Sequence, residues 1–310
     1  MGGNIFKGRT AGIPKEYIEP TLEKYYEELI NLFPKKRGVI QKFEPVGSVG
    51  KKAVSGDIDI AIDAKEFFTN GEVTPEELSA WNVDPVQWEK TYLLLKKRAR
   101  TSTDYMIRWK AFLKEIASYI NEKSDLIDVA EKKTTTGNIF TIIEQYNEES
   151  EEQGIGVQID WMVGSIDWLR FSYYSDPPVE NVKGLHRTQL ILSMFSTKGY
   201  AFSHIHGVKN KETKETVART SEDAIKLLGK LYGEAVSNQE LQNYITLHNY
   251  LKRSSNPEEY SEVLDTYLRI LDYTKADIPW DMQDYWVQNK DRLNLTGRYL
   301  PDDSKLKQYI

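Results

Sequence analysis

Val46-Gly47-Ser48-Val49-Gly50-Lys51-Lys52-Ala53-Val54-Ser55-Gly56-Asp57-Ile58-Asp59-Ile60-Ala61-Ile62-Asp63 is the stretch that decides the fold. Its last seven residues alternate strictly, the pattern of a half-buried strand. Successive side chains of a strand point to opposite faces, so Asp57 and Asp59 share one face while Ile58 and Ile60 turn to a core. Two carboxylates side by side repel each other unless a cation sits between them. Hard oxygen ligands of this kind suit Mg2+. Asp63 is in phase with the pair, but the end of the strand carries it past them.

Upstream lies Gly47-Ser48-Val49-Gly50-Lys51-Lys52. Glycines let backbone amides approach an anion closely, and Ser48, Lys51 and Lys52 add donors and charge. A loop of this kind next to paired carboxylates is what a nucleoside triphosphate needs. Downstream, Val157-Gln158-Ile159-Asp160-Trp161-Met162-Val163 is a strand carrying a lone acid among apolar residues. Placed beside the first strand, Asp160 completes a three-carboxylate site for two metal ions. It then ligates the ion at the attacking hydroxyl and accepts that hydroxyl's proton. Taken singly, Asp-x-Asp is usually a solvated face and Gly-Ser usually a turn. The three together, in order and on strands, point to a site.

Working outward, residues 14–33 read as an amphipathic helix with Ile18, Leu22, Tyr25, Leu29 and Phe33 on one face. Residues 42–47 read as a short strand, 64–84 as loop with a short helical piece, and 85–100 as a helix. That helix ends in Lys96-Lys97-Arg98-Ala99-Arg100, a solvated basic end or a nucleic-acid contact. A helix over 104–122 carries the stripe Tyr105, Trp109, Phe112, Ile116 and Ile120. Strands follow at Leu126–Lys132, Asn138–Tyr146 and 155–163. Trp168, Phe171, Tyr173 and Tyr174 read as core, with one of them free to stack on a base. From 184 onward the pattern is helical, with a small hairpin at 200–218. Strands mixed with segregated helices make the fold class α+β.

Val46-Gly47-Ser48 through Asp57-Ile58-Asp59-Ile60 resembles the signature of the DNA polymerase beta superfamily of nucleotidyltransferases. It is most similar to family X polymerases, whose loop reads Gly-Ser-x-x-Arg-Gly followed by Ser-Gly-Asp-hydrophobic-Asp. Ser55-Gly56 stand before Asp57 here, and the loop is one residue shorter. Val157–Val163 resembles the strand bearing that family's third aspartate. Leu192–Val208 resembles the thumb segment, a helix ending in Lys-Gly-aromatic, and Val217–Gly229 resembles a late helix beginning Ser/Thr-Glu. The likeness spans roughly residues 14–232.

The resemblance implies a nucleotidyltransferase palm, a small mixed sheet with flanking helices, over 43–174, preceded by a supporting helix in 1–42. The palm carries a helical insertion at 75–100. A thumb-like domain at 180–235 and a helical C-terminal region at 236–310 should follow. It implies transfer of a nucleoside monophosphate from an NTP or dNTP to a hydroxyl, preferably the 3′-OH of DNA or RNA. Two Mg2+ ions, with Mn2+ as substitute, are expected on Asp57, Asp59 and Asp160. Gly47, Ser48, Lys51, Lys52 and Arg187, which opens a helix on the expected nucleotide side, are expected to bind nucleotide. The departures are specific. With 13 residues before the first helix, no lyase-like domain is expected there. Pro177–Gly184 replaces the aromatic-rich nucleotide segment. Leu192 stands where the thumb helix carries a template-facing arginine, which weakens any expectation of faithful templated synthesis. Two other readings fit the same motif: nucleotidylation of a small molecule or protein, and a non-catalytic, antitoxin-like binding module.

Composition narrows the setting. There are no cysteines, which excludes disulfides and cysteine-based zinc sites. A net charge of −6 argues against broad coating of nucleic acid but not against a local basic groove. No stretch approaches the roughly 18 apolar residues of a membrane span. The first residues hold no signal-peptide run, and Phe6 stands where a myristoylation pattern needs Ser or Thr. The expected location is cytoplasmic, with no membrane partner.

Overall fold

The computed structural model describes residues 5–68, 72–100, 102–174, 182 and 184–296. The chain folds as two compact units, residues 2–170 and 171–310.

The first unit is built on a five-stranded mixed sheet. Its strands are β2 (Glu44–Val46), β4 (Ile58–Asp63), β5 (Asp128–Val129), β6 (Asn138–Tyr146) and β7 (Glu152–Gly164), in the spatial order β2-β4-β7-β6-β5. Two short strands, β1 (Ile13–Pro14) and β3 (Val54–Ser55), pair separately. The helices are α1 (Lys15–Leu32), α2 (Arg37–Ile40), α3 (Ala64–Phe67), α4 (Pro75–Ala80), α5 (Pro85–Arg98), α6 (Asp104–Lys123) and α7 (Ile166–Ser172), which runs across the division. The inserted stretch 75–100 is thus two helices, each with Pro at its first position. Thr74 caps α4 and Asp84 caps α5 by accepting from amides of the first turn.

The core lies on the sheet face that carries Ile58, Ile60, Ile159 and Trp161, all fully buried. Tyr25 and Leu29 of α1 and Phe112 and Ile116 of α6 pack into the same cluster. The Trp161 indole donates to the Tyr25 hydroxyl at 2.5 Å, which lies 2.8 Å from the Thr141 hydroxyl, so these three buried polar groups satisfy one another. Two expectations shift. The strand expected at Leu126–Lys132 shrinks to Asp128–Val129, because the Ser124 hydroxyl accepts from the Leu126 and Ile127 amides and withdraws them from the ladder. Tyr105 is exposed, while Ile107 and Ala111 pack against Tyr92 of α5, so α6 buries a second face against the inserted helix.

The second unit opens with α8 (Gly184–Thr197), followed by the three-stranded antiparallel sheet β8 (Tyr200–Ser203), β9 (Gly207–Asn210) and β10 (Thr216–Ala218). The expected hairpin therefore gains a third strand. Then come α9 (Ser221–Tyr232), α10 (Asn238–Gln242), α11 (Tyr244–Ser254), α12 (Pro257–Thr274) and α13 (Gln283–Asn289). Leu190 and Met194 of α8 are buried, as are Leu247 of α11 and Leu264 and Leu268 of α12. The helical reading of 236–310 is met through Asn289, and residues 297–310 lie outside the described ones. So does the segment Pro177–Gly184, apart from Val182 and Gly184. Among the described residues no helix is long and apolar enough to cross a membrane.

Candidate active site

β4 pairs with β7 in parallel, and the register sets Asp59 directly beside Asp160. Their apolar neighbours Ile58, Ile60, Ile159 and Trp161 are held in the core, so strand alternation sends both carboxylates to the opposite face. Asp57 stands one residue before β4. Oxygens of Asp57, Asp59 and Asp160 lie within 4.8 Å of one another. The strand carrying Asp160 is covered by protein, and Asp160 is only 6% exposed, whereas Asp57 and Asp59 are half-buried. Asp63 has turned away and caps α3, accepting from the Lys65 amide at 3.0 Å.

These carboxylates are electrostatically unfavourable neighbours. Burial first, then the charges of Asp57 and Asp160, hold Asp59 well above the usual carboxylate range. Burial pushes Asp160 up to about 7, against the pull of its hydrogen bonds from Gln158 and with a further push from Asp57. A donor set of hard carboxylate oxygens, crowded and reluctant to ionise, fits a divalent cation such as Mg2+ or Mn2+.

An acid held protonated by the fold contributes stability that is whole below its unfolded value, near 3.8, and lost as pH rises through about 7. In EDTA, this site should lower the melting temperature progressively from about pH 4 to about pH 7, and Asp160→Asn should flatten that slope. Saturating Mg2+ should raise the melting temperature at neutral pH. Identical melts with and without Mg2+ would sink the assignment of a metal to this site.

The glycine loop leaves the sheet at the same place. Val46 of β2 is the register partner of Asp59, so Gly47 starts the loop beside the carboxylates. Gly47 and Gly50 both adopt the left-handed backbone, with φ of 72° and 68°. The Lys51 amide donates to the Ser48 carbonyl at 3.2 Å, and the Gly50 amide to the Ser55 hydroxyl at 3.3 Å. Ser55 is fully buried and pairs with Ile13, so the loop is braced from below. Ser48 and Lys52 are half-buried and Lys51 is exposed.

Arg187 has other company. Its side chain is buried, its guanidinium donates to the carbonyls of Leu241 and, at 2.9 Å, Phe171, and it lies 5.1 Å from the centre of the Phe171 ring. These partners make it part of the packing of the second unit. Trp168 and Phe171 are buried, as core residues should be. A residue that the motifs did not flag is Gln158, 2% exposed, which donates from its amide nitrogen to both oxygens of Asp160 at 2.8 and 3.0 Å. Its signal was available: a polar residue two before Asp160 in an apolar strand shares that residue's face.

No protein-family model matches the chain, and no curated protein matches it. Among solved structures, the chain is similar in fold to Leishmania infantum polymerase beta, at 12% sequence identity. Against a ternary P/T complex of that protein the match covers 77% of this chain and 79% of that one, with a TM-score of 0.40. Against a ternary gap complex it covers 75% and 71%, with a TM-score of 0.39.

Proposed function

We propose that this chain is a metal-dependent nucleotidyltransferase that moves a nucleoside monophosphate from an NTP or dNTP to a hydroxyl. The observation that carries this reading is the convergence of Asp57, Asp59 and Asp160 within 4.8 Å on one sheet face, beside a glycine loop. The acceptor oxygen forms a bond to the α-phosphorus, the bond from that phosphorus to the bridging oxygen breaks, and pyrophosphate leaves. Asp57, Asp59 and Asp160 would hold two Mg2+ ions, which supply charge stabilisation at the attacking and leaving oxygens when bound. Asp160 takes the hydroxyl proton in this reading. Gly47, Ser48, Lys51 and Lys52 receive the triphosphate through loop amides, a hydroxyl and two ammonium groups.

The preferred acceptor is a 3′-OH of DNA or RNA. The exposed cations Lys90, Lys97, Arg98 and Arg100, on α5 and just after it, are suited to a phosphate backbone. A second reading, transfer to a small molecule or protein, has its own observation. Ile142 stands opposite Gln158 on the face of Asp160, and it lines a cleft of about 450 Å3 whose walls include Asp125, Glu144, Glu152 and the ion pair of Arg9 with Asp128, a net acidic lining. Such a wall repels a polyanion and suits a neutral or cationic acceptor.

The deciding experiment incubates the protein with labelled NTPs and dNTPs, Mg2+ or Mn2+, and single-stranded, primed and tRNA-like acceptors. Extension of any of these supports the first reading. Pyrophosphate release on small hydroxyl acceptors alone supports the second, and no release under any condition overturns both. Replacing Lys51 and Lys52 together by alanine should raise KM for the nucleotide about tenfold, with a smaller effect on kcat, because charge-assisted contacts to phosphate are lost. An unchanged KM would remove the two lysines from the phosphate set.

A further inference from the structure

We propose that Gln158 is a positioning residue for the Asp160 carboxylate, and that the main-chain N–H of Ile5 sets its amide. This deepens the nucleotidyltransferase reading and rests on Asp160 holding metal. A side-chain amide has a donor end and an acceptor end of nearly the same shape. At Gln158 the ends are told apart from both sides. The nitrogen donates to the two oxygens of Asp160 at 2.8 and 3.0 Å, while the carbonyl oxygen accepts from the Ile5 amide at 3.1 Å. The reverse orientation would set an acceptor against a carboxylate and a donor against a donor.

The segment that delivers the Ile5 amide is itself anchored. The Gly156 amide donates to the Arg9 carbonyl at 3.1 Å and the Ala11 amide to the Gly156 carbonyl at 3.0 Å. The Gln145 side chain donates to the carbonyls of Ala11 and Gly156, both at 3.2 Å. Phe6 is buried, and Arg9 pairs with Asp128. A Cβ at Gly156 would come within 3.0 Å of the Arg9 carbonyl oxygen and 2.7 Å of the Ile142 side chain, so glycine is what lets this strap lie along β7.

The chemistry suits a metal ligand. Gln158 is neutral, so it orients the carboxylate without placing a cation where a divalent ion must bind. A carboxylate has about four lone-pair sites, so two hydrogen bonds leave others for a cation, and an oxygen of Asp160 lies within 4.8 Å of those of Asp57 and Asp59. Partners behind a ligand fix its orientation, and their loss typically costs 10- to 100-fold in metal affinity.

The test uses the full chain and Mn2+ alone as probe, with free Mn2+ read by its electron paramagnetic resonance signal. Gln158→Met keeps the size and removes both ends of the amide. Ile5→Pro removes one amide proton, and Ile5→Ala keeps it. Gln158→Met should weaken Mn2+ binding about tenfold or more. Ile5→Pro should bind several-fold more weakly than Ile5→Ala, and combining Ile5→Pro with Gln158→Met should add little, since both break one chain of contacts. Transfer by Gln158→Met should recover as Mg2+ is raised. If the Met variant does not fold, the Pro/Ala pair decides. Lowered melting temperatures with unchanged Mn2+ binding would reduce the contacts to packing and overturn the proposal. Wild-type protein that binds no Mn2+ overturns the metal reading itself, whereas variants that bind as well as a Mn2+-binding wild type overturn the positioning role alone.

Discussion

Asp160→Asn should abolish detectable nucleotidyl transfer while the protein stays folded. The substitution keeps the size of the side chain and one of the two oxygens that accept from Gln158, replaces the other by an amide nitrogen, and removes the charge. Metal-assisted charge stabilisation is worth several kcal/mol in the transition state, so a loss of about 4 kcal/mol lowers kcat on the order of 10³-fold. Stability should move the other way. Asp160 ionises reluctantly beside Asp57, and a neutral amide relieves that cost at neutral pH in EDTA. The expected result is an inactive variant whose metal-free melting temperature is at or above that of the wild type. Turnover that survives the substitution would refute the role assigned to this carboxylate.

Glu77→Leu should be strongly destabilising. Lys36 and Glu77 form an ion pair in which both residues are less than 10% exposed, and the Lys36 ammonium lies 5.6 Å from the centre of the Trp81 ring. Removing one partner leaves a buried charge uncompensated, at a cost of about 3–5 kcal/mol. For a protein of this size that lowers the melting temperature by roughly 6–20 °C. Adding Lys36→Met to Glu77→Leu should recover most of the loss, because an apolar pair of similar volume avoids the desolvation cost. A double variant as unstable as the single one would show that the pair acts through something other than its charges.

Neither member of that pair stood out in the sequence. Lys36 lies in Pro34-Lys35-Lys36-Arg37, which reads as a helix break, and Glu77 lies in a stretch that reads as loop with a short helical piece. Their charges suggest solvent, and only the approach of α4 to the Pro34–Lys36 turn buries them together. Arg187 shows the same limit. Its place at the start of a helix suggested a phosphate contact, yet it is spent on the carbonyls of Phe171 and Leu241. Long polar side chains are poorly legible because burial depends on what packs against them, and that information lies elsewhere in the chain.

What the sequence determined by itself was local. Strict alternation put Asp57 and Asp59 on one face and their isoleucines on the other, and a lone acid in an apolar strand marked Asp160. A period of two needs only neighbouring residues to be read. The tertiary structure decided the rest: that β4 and β7 run parallel with Asp59 beside Asp160, that Val46 brings the glycine loop to the same spot, and that the Ile5 amide reaches Gln158. Local alternation fixes only which face each strand buries, whereas the partner strand, its direction and the offset between them are set by how the buried faces and the intervening helices pack.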